Sequence, residues 1–194
     1  MLSIKQIKDN SEELRRLGAR VQETVLQRGR SEAHKAEWER ACAEWHARFD
    51  RLSFPGGSEL LDRVRENDAS AVEAAVRFLV ADPYHFRSGY LKQELWRWLA
   101  HCDLATSARN RLEQAALSYL DRRISREFWT MCKAMARLGS SQFWLKVSLK
   151  AQAADGPEAT RALYLLSHGA DVHAGARVRR SVYREYIERK FGGG

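Results

Sequence analysis

The chain has 194 residues, 44% of them hydrophobic and 10% aromatic, which is ample for a buried core and excludes a disordered segment. Three prolines in a chain dominated by Ala, Leu, Arg, Glu and Gln exclude a turn-rich sandwich or barrel and predict an all-α protein, one large domain or a domain plus an appendage. The formal charge of +8 is uneven: residues 1–66 carry 13 basic and 12 acidic side chains, and residues 67–194 carry 20 and 13.

The opening "MLSIKQIKDN" has no apolar run followed by a cleavage site, so no secretory signal is expected. From 10 to 52 the pattern is helical almost throughout. Leu14, Leu17 and Val21 recur at three- and four-residue steps, as do Trp38, Cys42, Trp45, Phe49 and Leu52, so each set shares a face. Gly29 can end the first helix and Ser31 cap the second. Residues 1–52 are therefore expected to form a helical hairpin or a long kinked helix, an N-terminal arm through which 10–52 can self-associate. "SFPGG", residues 53–57, reads as a linker.

Residues 58–194 read as a run of short amphipathic helices separated by cap signals. Ser58 starts "ELLDRVREN", and Asp68 or Ser70 caps "AVEAAVRFLV" until "DPY" stops it. A helix runs from Ser88 to Cys102, Thr106 caps the next, and Ser125 begins "REFWTMCKAMARL", ending at Gly139. Ser140 or Ser141 starts another, which "DGP" closes. Pro157 opens a helix that Gly169 ends, and a last one is expected over about 175–190. Short turns between helices of similar length make neighbours antiparallel.

Cys42, Cys102 and Cys132 are odd in number and widely spaced in these patterns, as for small buried thiols in a reducing compartment. The longest uncharged run, Ala162–Ala170, is far short of the ~20 residues of a membrane span. A cytoplasmic protein is expected.

The helix rhythm over 58–154, in which "REFW" (126–129) and "SQFW" (141–144) open successive helices alike, resembles a HEAT- or armadillo-type repeat. The stretch "SLKAQAADGPEATRALYLLSHGADVHA", 148–174, resembles a single ankyrin repeat. Ala153, Ala154, Leu165, Leu166, Gly169, Ala170 and Asp171 stand where that family's pattern wants them, but "SLKA" replaces its Thr-Pro-Leu-His turn. Both resemblances imply an α-solenoid-like array of antiparallel helices with a surface for binding proteins.

"LKQELWRWLAHC", 91–102, sets Trp96 and Trp98 roughly 200° apart on a helix. Leu91, Leu95, Trp98 and Cys102 form one stripe, with Leu99 beside it, and Trp96 falls across from them. Trp96 is then either core in a helix covered on two sides or an exposed anchor for a partner. Phe128–Trp129 and Phe143–Trp144 widen the apolar arcs of their helices in the same way. His85, Arg87 and Tyr90 in "DPYHFRSGY" form a possible aromatic pocket, the alternative being a loop whose rings pack under the next helix.

Signals for catalysis and metal binding are sparse. No glycine-rich phosphate loop, paired-cysteine motif or His-Glu-x-x-His helix occurs. Cys42 and His46 make at most half a metal site, and His168, Asp171 and His173 surround a helix stop. The reading is of a non-enzyme with neither a metal nor another cofactor.

The basic residues are more organised. In a helical run over 121–138, Arg122, Arg126, Lys133 and Arg137 sit at offsets 0, 4, 11 and 15, one stripe away from Phe128, Met131, Met135 and Leu138. Lys146 and Lys150 are one turn apart, and Arg177, Arg180 and Arg184 line up near the C-terminus. The expectation is a non-enzymatic macromolecule-binding module (adaptor, scaffold or inhibitor) whose basic face meets an acidic protein. The alternative is a nucleic-acid-binding subunit holding DNA or RNA phosphates through the same stripe.

Overall fold

The structure, a computed structural model, describes residues 2–122, 124–152 and 156–169. Among these residues the regular elements are nine helices: α1 (Ile4–Val25), α2 (Glu32–Ser53), α3 (Gly57–Arg65), α4 (Ala69–Ala81), α5 (Ser88–Leu99), α6 (Thr106–Leu120), α7 (Phe128–Leu138), α8 (Ser141–Gln152) and α9 (Pro157–Leu166). The fold is all-α, its helices packed against one another, in two compact units, 1–104 and 105–194.

In the first unit α1 opens on a capping box. Ser3 Oγ accepts from the Gln6 amide at 3.2 Å and Gln6 Oε1 accepts from the Ser3 amide at 2.8 Å, which satisfies two otherwise orphaned N–H groups. Ser31 caps α2 as its position predicts, with Oγ accepting from the His34 amide. The two helices run antiparallel, as the ion pairs Glu13–Arg48 (2.5 Å) and Arg20–Glu44 (3.0 Å) require. Their burial differs. α1 sinks Ile7, Leu14 and Leu17 into the core, whereas Ala41 is the one buried residue of α2.

α1 packs on α4 as well as on α2, and α2 packs on α3, so the hairpin is built into the first unit rather than set apart as an arm. "SFPGG" is a turn inside that unit. Phe54 is buried with its ring 5.5 Å from Phe78, and Gly56 and Gly57 take φ of 91° and 70°, conformations that suit glycine. A linker would leave Phe54 in water; here the division falls after Leu104. The apolar α4 is the centre of the unit, touching α1, α3 and α5.

Trp96 belongs to this core. It is 0% exposed, on a buried face of α5 made by Lys92, Leu95, Trp96 and Leu99, and it is therefore no anchor for a partner. Trp98 is the half-buried one, with the Arg65 guanidinium 5.7 Å from its ring.

In the second unit α6 packs on α7 and α9, and α8 on α9. Thr106 is the first helical residue rather than the cap; Ala105 holds the cap position without a side-chain bond. α7 begins at Phe128, three residues after Ser125, whose carbonyl accepts from the Phe128 amide. Ser140 caps α8 by accepting from the Phe143 amide, and its own amide donates to the buried Glu113 at 2.7 Å. Gly169 closes α9 under the Trp144 ring, where a Cβ would come within 2.9 Å of ring carbons. The helix expected at 175–190 lies outside the described residues, as do Ala153, Ala154, Ala170 and Asp171 of the ankyrin-like stretch.

Candidate binding face

The segment between α4 and α5 decides what the first unit presents to solvent. α4 ends at Asp82 in the left-handed region (φ 48°), and Asp82 Oδ1 accepts from the buried Lys92 ammonium at 2.8 Å. Arg87 (φ 64°), also left-handed, holds the cap position before α5. These are two of the three described non-glycine residues with positive φ, and the arginine is the costlier, since Asp tolerates that region better.

Between these ends burial alternates from residue to residue, through a bend at His85 and a turn at Phe86 and Arg87. Pro83 and His85 point inward; Tyr84 and Phe86 point out, 77% and 60% exposed. His85 fixes the alternation. Its Nδ1 lies 3.2 Å from Ser11 Oγ on α1, its ring is 6.3 Å from Phe78, and its backbone exchanges hydrogen bonds with Ser88. Burial, with a smaller contribution from the Lys92 charge, lowers its pKa to about 4, so His85 is a neutral core residue at physiological pH.

The consequence is an exposed aromatic cluster. Phe86 meets Trp45 edge-on at 5.7 Å and Phe49 at 6.3 Å, and Trp45 stacks on Phe49 at 4.6 Å. The Arg87 guanidinium stands 5.3 Å from the Phe86 ring and forms no ion pair among the described residues. Arg15, which also pairs with Glu12, lies 6.0 Å from the Tyr84 ring. Tyr90, one turn into α5, is 55% exposed. Beside the cluster a groove of about 380 Å³ runs between α1 and α2, with Leu14, Gly18, Val21, Cys42 and Trp45 along it and Phe86 at its edge. Arg15 is its one formally charged lining residue; Gln22 and His46 are the other polar ones.

His85, Arg87 and Tyr90 do not converge as a pocket: the histidine faces the core while the other two face solvent. The loop-packing alternative describes His85 alone. What the arrangement offers is aromatic area edged by cations, the material of protein-binding hot spots.

The basic stripe is only partly assembled. Because α7 starts at Phe128, Arg122 and Arg126 lie in the connection from α6, and the offsets that aligned them with Lys133 and Arg137 along one helix do not apply. Arg122 is half-buried, 3.7 Å over the Tyr119 ring; burial lowers its pKa while the Glu127 charge opposes. Lys133 and Arg137 are exposed one turn apart on α7, and Lys146 is exposed on α8. Lys150 is drawn into an internal bridge, pairing with Asp121 at 2.7 Å and with Glu158, which raises its pKa. Arg177, Arg180 and Arg184 lie outside the described residues.

Of the cysteines, Cys132 is buried, its thiol pushed well up by burial, and Cys102 is half-buried and raised for the same reason, while Cys42 is half-exposed in the groove. Among the described residues no three His, Cys, Asp or Glu side chains come together as a metal site, and no helix is long and apolar enough to cross a membrane. No protein-family model, no curated protein and no solved structure matches the chain.

Proposed function

We propose that the protein is a non-enzymatic macromolecule-binding module of the adaptor, scaffold or inhibitor kind, acting in the cytoplasm on an acidic protein partner, with the 84–90 face of the first unit as its main contact. One observation carries this reading: the buried His85 turns Tyr84 and Phe86 outward beside an Arg87 that has no ion-pair partner among the described residues. Large aromatic and arginine side chains contribute most to binding energy per residue, and a net charge of +8 favours acidic partners. The resemblance to HEAT and armadillo repeats points to the same class of activity.

A second reading, binding of DNA or RNA, is supported by the exposed Lys133, Arg137 and Lys146 of the second unit. Affinity capture from the source cell with three forms of the chain separates the two. The wild type and a Lys133→Glu/Arg137→Glu/Lys146→Glu variant should retain the same acidic proteins, and a Phe86→Ser/Arg87→Glu variant should lose them. Loss with the lysine–arginine variant alone, together with DNA or RNA binding that falls steeply with salt, would transfer the function to the basic residues.

A further inference from the structure

We infer that the α1–α2 groove receives an amphipathic helix of the partner, apolar side chains inward and carboxylates against Arg15 and Arg87; this rests on the protein-binding reading above. The groove follows α1 from Leu14 to Gln22, a rise of roughly 12 Å, or about two helical turns. The space over Gly18 is open: a Cβ there would meet only Trp45 Nε1, at 3.6 Å, an ordinary contact, while a larger side chain would enter the groove.

Backbone chemistry selects the occupant's conformation. The walls are side chains of two helices whose N–H and C=O groups are already bonded within each helix, so they cannot pair with an extended peptide. A helix satisfies its own backbone and needs only apolar side chains to enter such a groove. The apolar face that awaits cover is visible on α2, where Cys42, Trp45 and Phe49 remain half-exposed.

Charge selects its composition. No carboxylate lines the groove, and the nearby Glu13 is held by Arg16 and Arg48. Arg87 lacks an ion-pair partner among the described residues, and Arg15 is shared between Glu12 and the Tyr84 ring. A basic helix would bring its cations against these two; an acidic one gives Arg87 the carboxylate it lacks and adds to the charge balance at Arg15.

The test uses the full chain and two fluorescein-labelled peptides of about four turns. Both carry Leu and Trp at positions i, i+3, i+4 and i+7, with Glu at the remaining positions in one and Lys in the other. Anisotropy should show the acidic peptide binding at least tenfold more tightly than the basic one. Gly18→Leu, which fills the groove, should weaken it about tenfold or more, and Gly18→Ala should leave it within about twofold. Circular dichroism of each variant reports whether the fold is kept, and Arg87→Gln, outside the groove floor, gives an independent reading of the charge contact. Equal affinity for the two peptides, or unchanged binding by a folded Gly18→Leu chain, overturns the inference. A dimer in sedimentation that dissociates in Gly18→Leu also overturns it, because the groove would then hold a second copy. If neither peptide binds while the wild type still captures acidic proteins that the Phe86→Ser/Arg87→Glu variant loses, the inference fails and the protein-binding function stands.

Discussion

His85 ties the exposed loop to the core, and its titration gives the most quantitative check on that arrangement. The ring is buried against Phe78 and Ser11, near the Lys92–Asp82 pair, and its pKa is lowered from 6.5 to about 4. The folded state therefore resists a proton that the unfolded chain takes up readily. The resulting stability is fully present above pH 6.5, where neither state is protonated, and is lost as pH falls from 6.5 through 4. The whole interval corresponds to roughly 3 kcal/mol, and about 2 kcal/mol of it is gone by about pH 5. Carboxylates contribute their own pH dependence, so the measurement is a difference between two chains. In His85→Gln the amide can still bond Ser11 but does not titrate. Urea unfolding at about pH 7 and about pH 5 should show the wild type losing about 2 kcal/mol more than His85→Gln. Equal losses in the two chains would mean that His85 is solvated in the folded state and that the outward setting of Tyr84 and Phe86 has another cause.

Gly18→Ala should stabilise the first unit by about 1 kcal/mol, since the position is mid-helix and its Cβ meets only an ordinary contact; a lower melting temperature would contradict the open groove. Arg87→Gly should leave stability unchanged or raise it by up to about 1 kcal/mol by removing the left-handed cost, while weakening partner binding, a combination read by calorimetry and anisotropy. Trp96→Ala should cost about 3–5 kcal/mol in urea titrations and Phe86→Ala less than about 1 kcal/mol, which separates core from surface aromatics. Gly169→Ala should destabilise the second unit, because the added carbon meets the Trp144 ring at 2.9 Å.

Helical periodicity was legible wherever one face carried the apolar residues. Ser31, Asp68, Pro157 and Gly169 mark helix ends in the sequence and do so in the fold, because each acts on its own backbone neighbours. The Ser3-x-x-Gln6 capping box acts on its own backbone neighbours in the same way. What spacing could not carry was the break between α6 and α7. Arg122 and Arg126 fit a helical offset, yet α6 ends at Leu120 and α7 begins only at Phe128.

The candidate binding face was half legible. "DPYHFRSGY" stands out in the sequence by its aromatic density, but which of its rings turn outward depends on His85 reaching Ser11, 74 residues away in sequence. The groove had two signals of its own, a glycine in the middle of α1 and two tryptophans on α2 with only Ala41 buried between them. Both acquire meaning only once α1 and α2 lie side by side.

The most direct test of the central claim places a photo-reactive p-benzoylphenylalanine at Phe86 in the full chain and irradiates it in the source cell. The expected result is a discrete adduct with an acidic protein that disappears in the Arg87→Glu background and persists with Lys133→Glu/Lys146→Glu. No protein adduct at position 86, alongside nucleic acid cross-linked through the second unit, would contradict it.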